Sequence, residues 1–156
     1  MCSSDLLSGD AFARCRARME RPTPRVSLGL ALRGLAHAAI DVSDGLLGDL
    51  GHILARSGHG AQIETLWLQG SGAASADLLS LPWTQRLDMA LAGGDDYELL
   101  FTAPPAVREQ VDAAAQGCGV PVTRIGHITQ EPGLRVLDPQ GQPVMRRFAS
   151  FDHFAR

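Results

Sequence analysis

Between residues 38 and 65 the hydrophobic period of the chain changes twice. Ala38 to Val42 is a short apolar run. Leu46, Leu47, Leu50, Ile53 and Leu54 then recur at helical spacing, and Ala61, Ile63 and Thr65 alternate with Gln62 and Glu64. A strand, an amphipathic helix and a half-wet strand follow from these three periods. The cluster Ser57-Gly58-His59-Gly60 ends the helix, because glycine just past the last apolar position accepts the left-handed turn that closes a helix. A strand followed by a helix and another strand buries its apolar surfaces only in a fold where helices lie on a sheet.

The remaining chain repeats this alternation. Ala11 to Glu20 is a short arginine-rich helix, and Arg21-Pro22-Thr23-Pro24-Arg25 breaks it, since each proline removes a donor and restrains its predecessor. Leu28, Leu32 and Leu35 predict a helix over 26–37. Gln69 to Ala76 reads as a loop, and Ala76–Leu81 and Thr84–Leu91 as short helices parted by Pro82. Tyr97 to Thr102 is apolar on both faces and is expected as a central strand. Pro104-Pro105 opens a helix with Val107, Val111, Ala114 and Cys118 on its face. Strands are expected over 120–128 and 134–137. Asp138-Pro139-Gln140-Gly141 is a turn before an extended piece around Val144, and Phe148 to Phe154 is an aromatic tail. The class expected is α+β, a mixed sheet covered by helices. Residues 1–25 are expected to be a ragged start, a short helix and a proline-rich linker, and residues 26–156 one domain.

With 156 residues the chain is long enough for one real core. A formal charge of −3 leaves no basic surface for a nucleic-acid backbone. All 14 basic residues are arginine, which excludes a lysine-type phosphate loop but leaves two-pronged anion binding open. Cys2, Cys15 and Cys118 have no paired spacing and read as thiols in a reducing compartment. No apolar run reaches the length of a membrane span. A cytoplasmic protein without membrane or nucleic-acid partners is expected.

Two acidic, glycine-punctuated segments carry the chemistry. In Asp41-Val42-Ser43-Asp44-Gly45, at a strand-to-helix junction, Asp41 and Asp44 suit Mg²⁺, which takes one or two carboxylates plus phosphate oxygens. The Ser43 hydroxyl or amide suits a phosphate. The competing reading is that Ser43 or Asp44 merely caps the helix. In Gly93-Gly94-Asp95-Asp96-Tyr97-Glu98, Asp95 is placed to reach a substrate while Asp96 supports the turn; here the competing reading is a tight turn with solvated acids. Together the two segments suggest a shared cleft. Arg21 and Arg25 either grip an anion or flank a rigid linker. The five histidines show no ligand spacing.

Arg-Pro-Thr-Pro-Arg at 21–25, Ala39-Ile40-Asp41-Val42-Ser43-Asp44-Gly45-Leu46, Asp49-Leu50, Gly93-Gly94-Asp95-Asp96-Tyr97-Glu98-Leu99 and Phe151-Asp152-His153-Phe154 together resemble thiamine-monophosphate kinase, from about residue 11 to the end. The wider superfamily includes aminoimidazole ribonucleotide synthetase. The resemblance implies a three-layer α/β/α C-terminal domain, partly ferredoxin-like. It also implies in-line transfer of the γ-phosphoryl group of ATP onto thiamine monophosphate, with several Mg²⁺ ions, in a homodimer. Carried over by motif, Asp41 and Asp44 match Mg²⁺ ligands, Ser43 an ATP contact, and Asp95 and Phe151 contacts to thiamine monophosphate. Many relatives have Glu where Asp95 stands. The family's N-terminal ATP- and Mg²⁺-binding domain has no counterpart here, so the chain reads as a C-terminal fragment, inactive alone. The alternatives are a stand-alone module that binds a Mg²⁺-nucleotide or a thiamine phosphate without turnover, and a fragment of another superfamily enzyme.

Overall fold

The computed structural model describes residues 9–69, 75–146 and 148. Helix α1 (Gly9–Glu20) ends at the Pro22/Pro24 stretch. Helix α2 (Val26–Ala31) is half the length expected. Leu32 closes it, and the amides of Leu35 and Ala36 both turn back onto the Leu32 carbonyl. The His37 amide donates to the Thr102 carbonyl, so pairing with a distant strand captures the chain before another helical turn forms.

Strand β1 (Ala38–Val42) leads through the first acidic segment into helix α3 (Leu46–Ser57), which ends on left-handed Gly58. Strand β2 (Gly60–Glu64) follows, then a 3₁₀ turn over Thr65–Gln69. Helix α4 (Ala76–Leu79) is capped by the Ser75 hydroxyl, which accepts from the Leu78 amide. Helix α5 (Trp83–Ala92) runs into the second acidic segment and strand β3 (Glu98–Thr102). A 3₁₀ turn at Pro105–Val107 opens helix α6 (Arg108–Cys118). Strands β4 (Gly126–Thr129) and β5 (Gly133–Leu137) complete the order.

Among the described residues, five strands divide between two sheets rather than forming one. Strand β1 there pairs with β3 alone, antiparallel, from Ala38 opposite Thr102 to Val42 opposite Glu98. Strand β2 is the centre of the other sheet, antiparallel to β4 and parallel to β5. Strand β3 is therefore not central, yet its apolar character on both faces has a cause. Leu100 joins a core built from Val42, Leu46, Leu50, Leu54, Ile63 and Leu91. Its neighbours Leu99 and Phe101 pack on the other side, against Leu28, Leu32, Val111 and Ala115. The two-stranded sheet is a partition with a core on each face, and the mixed class expected from the sequence holds.

Smaller departures have local causes. Val111 of α6 is buried as expected, but the alanine buried with it is Ala115, not Ala114. Strand β4 is only four residues long, because β2 offers it partners from Gly60 to Ile63; one further bond runs from the Glu64 amide to the Ile125 carbonyl. The Asp138 turn forms as expected: its carboxylate accepts from the amides of Gln140 and Gln142, and the Val144 amide donates to the Val136 carbonyl. Cys15 and Cys118 are free thiols.

Candidate functional site

The loop from β1 to α3 is not capped as either sequence reading supposed. Gly45, with φ 109° and ψ 146°, takes the cap position and supplies no side chain. A Cβ on Gly45 would meet the Ala92 carbonyl at 3.0 Å, so the end of α5 presses directly on this turn. Asp49, in the first turn of α3, reaches back and holds the loop ahead of the helix instead. Its Oδ2 accepts from the amides of Ser43 at 3.0 Å and Asp44 at 3.1 Å. A buried carboxylate is tolerated only when so bonded, and Asp49 is 2 % exposed. The Ser43 amide is thus engaged by the protein itself.

The second acidic segment is bound to the first by its backbone. The Asp95 amide donates to the Ser43 carbonyl at 2.9 Å, and the Tyr97 amide to the Val42 carbonyl at 2.8 Å. Gly94 makes the approach possible: a Cβ there would lie 2.6 Å from the Ser43 carbonyl oxygen. Both donors sit in the left-handed region, Asp95 at φ 67° and Tyr97 at φ 50°. Aspartate visits that region readily, but for tyrosine it costs about 1–2 kcal/mol. The Tyr97 hydroxyl donates to Asp95 Oδ1 at 3.3 Å.

The expected shared cleft is therefore an interlock. Tyr97, 41 % exposed, has its phenol raised above the ordinary range by Asp95 first, with further contributions from Asp41 and Asp44. Three carboxylates and one phenol from two distant segments share one electrostatic neighbourhood, and Ser43 lies between Asp41 and Asp44 in the chain. A recess of about 290 Å³ has a lining that includes Leu47, Gly48, Ala92, Val136, Arg146 and Phe148. Leu47, Gly48 and Ala92 of this lining flank the two acidic segments in sequence. Phe151 lies outside the described residues.

Behind this face stands a second charge cluster that the sequence reading did not find. Arg25 grips Glu98 with two prongs, Nε to Oε2 and Nη2 to Oε1, each 2.8 Å. Arg18 of α1 bonds the same Oε1. Burial pushes the Glu98 carboxyl up, but Arg25 and Arg18 together hold it below its ordinary value. Arg25 is thus tied to the Asp-Asp-Tyr-Glu segment and does not stand ready for an external anion. Asp96 is exposed as a residue, yet protein atoms crowd its carboxyl. That desolvation, followed by repulsion from Glu98 and Asp95, pushes its pKa up to about 6 against the pull of Arg18. The signal for Asp49 was present in the sequence: it lies three residues after Leu46 and four before Ile53, on the apolar stripe, where a carboxylate needs a partner.

Residues 4–139 match the family model described as AIR synthase related protein, C-terminal domain. The chain is 45 % identical over 151 residues to thiamine-monophosphate kinase of Haemophilus influenzae, a match that covers 94 % of this chain and 44 % of that protein. Among solved structures it resembles thiamine-monophosphate kinase from Stenotrophomonas maltophilia, with 44 % identity and a TM-score of 0.74, over 86 % of this chain and 40 % of the other. It also resembles AaThiL complexed with AMPPCP and TMP, with 26 % identity and a TM-score of 0.67, over 95 % and 43 % of the two chains. The chain spans less than half the length of each of these relatives.

Proposed function

Because the chain belongs to the AIR synthase-related C-terminal-domain family, we propose that it forms the C-terminal part of a thiamine-monophosphate kinase. The reaction is transfer of the γ-phosphoryl group of ATP to the phosphate of thiamine monophosphate, giving thiamine diphosphate. The observation that carries this reading is the interlock: the Asp95 and Tyr97 amides on the Ser43 and Val42 carbonyls. It holds the proposed metal residues Asp41 and Asp44, the ATP contact Ser43 and the substrate contact Asp95 in one rigid unit. Phosphoryl transfer asks the protein mainly for positioning and charge neutralisation, and an interlocked acidic unit provides a place for both. The relative complexed with AMPPCP and TMP supports a site of this kind in the same fold.

The donor set fits Mg²⁺. Asp41 and Asp44 offer hard carboxylate oxygens, and Mg²⁺ takes one or two of these with phosphate oxygens and water. Among the described residues no group of three or more His, Cys, Asp or Glu closes round an ion, so phosphate and donors from elsewhere in the enzyme would complete the shell. When bound, Mg²⁺ would neutralise charge on the transferred phosphoryl group. The chain's own part is to orient: Ser43 toward a phosphate, Asp95 and Phe151 toward the thiamine portion.

In this reading residues 1–25 lead into the domain formed by 26–156, and an N-terminal domain supplies the rest of the ATP and Mg²⁺ site. The enzyme works as a cytoplasmic homodimer; among the described residues no helix is long and apolar enough to cross a membrane. The test compares the full-length protein with the 156-residue chain, each given ATP, Mg²⁺ and thiamine monophosphate. Thiamine diphosphate is expected from the former and none from the latter. Failure of the full-length protein to turn over, with binding intact, would leave only a binding module.

A further inference from the structure

Amides at a strand-to-helix turn commonly face an external anion. Here the Ser43 and Asp44 amides face inward, onto the Oδ2 of Asp49 at 3.0 and 3.1 Å. Asp49 and Thr65 are the buried polar side chains among the described residues. Thr65 has a structural partner, donating to the Leu137 carbonyl at 2.8 Å. Asp49 instead holds the backbone of two of the residues assigned above to nucleotide and metal. Its carboxylate fills the place that a phosphate takes at other such turns, so ligand contacts pass to the side chains of Ser43, Asp44 and Asp41. The same Ser43 residue accepts Asp95 through its carbonyl, so a shift in its peptide plane moves both acidic segments.

Resting on the kinase reading, we infer that Asp49 is a positioning residue for the Mg²⁺-nucleotide site, an internal carboxylate that fixes the peptide planes from which Ser43 and Asp44 project. Full-length Asp49→Ala loses the acceptor, whereas Asp49→Asn keeps one oxygen able to accept and loses the charge. Kinase rates are titrated with Mg²⁺ well below each variant's melting temperature. The half-saturating Mg²⁺ concentration should rise about tenfold in the Ala variant, the low end of what lost support of metal ligands costs, and less in the Asn variant. The KM for thiamine monophosphate should change less than twofold. A lowered melting temperature with an unchanged Mg²⁺ requirement would make Asp49 merely structural and overturn the inference. Asp44→Asn separates the two levels: if it too leaves the Mg²⁺ requirement unchanged, the kinase reading of the loop falls. Should neither Asp49 variant fold, hydrogen exchange of the unaltered protein decides. The Ser43 and Asp44 amides should exchange slowly with and without Mg²⁺-ATP, and rapid exchange in the free protein would refute their capture by Asp49.

Discussion

The two acidic segments reach one place by opposite means. The first, Asp41 to Gly45, is held from inside by a buried side chain, Asp49, and its only left-handed residue is a glycine. The second, Gly93 to Tyr97, hangs on the first through backbone bonds and places Asp95 and Tyr97, not glycines, at positive φ. One segment is anchored, and the other is held in place by the anchor. Backbone strain persists only where surrounding contacts over-determine it, and the two bonds to Val42 and Ser43 do that here. Damage to the first segment should therefore spread to the second more readily than the reverse.

Gly94→Ala attacks the joint and should have the largest effect. Its Cβ would sit 2.6 Å from the Ser43 carbonyl oxygen, forcing the segments apart. A misplacement of about 1 Å can cost about 10²-fold in rate, and kcat of the full-length enzyme should fall on that order. A Gly94→Ala enzyme with ordinary kinetics would show that the interlock does not matter.

Asp41→Asn and Asp44→Asn should each lower turnover about 10-fold or more, with partial recovery at high Mg²⁺. Asp95→Asn, on the dependent segment, should instead raise the KM for thiamine monophosphate more than that for ATP. Identical kinetic signatures from all three would erase the distinction between the segments.

Tyr97→Asn tests the strain. Asparagine occupies the left-handed region more readily, so the variant should be stabilised by about 0.5–1 kcal/mol, read as a raised melting temperature, while losing activity. Destabilisation would mean that the ring's contacts outweigh the backbone cost.

The smallest effect concerns pH. Asp96 is raised on folding to about 6 from 3.8. The stability it contributes is present below about pH 3.8 and is lost as pH rises through about 6, because the unfolded chain releases the proton first. Glu98, lowered by its arginines, acts in the opposite sense and weakens the fold as pH falls through its own titration. Melting curves at pH 4 and pH 7 should show Asp96→Asn gaining on the unaltered protein at the higher pH. The gain is modest because solvent reaches Asp96. An unchanged difference between the two pH values would mean that folding does not disfavour the Asp96 charge.

The elements built on local signals were legible. The α3 stripe with its Gly58 end, the alternation in β2, the Asp138 turn and the proline break before α2 all depend on neighbours within a few residues. The errors came where a distant partner overrode local preference. Helix α2 stops early because Thr102 takes the His37 amide, and β3 is apolar on both faces because two cores meet there rather than because it is central. At the site, the acidic residue types, their glycines and the place of Asp49 on an apolar stripe could be read, but the amides that Asp49 holds and the grip of Arg25 on Glu98 could not.

The sequence by itself determined which residues can do chemistry here, since carboxylates, a serine and sharp glycine turns are local properties written in residue type and spacing. Tertiary structure alone decided which of them act together. Ser43 and Asp95 are separated by half a hundred residues of intervening fold, and they meet only because β1 pairs with β3 and Gly94 lets their backbones touch. Such a contact depends on register and close approach, which no local pattern encodes.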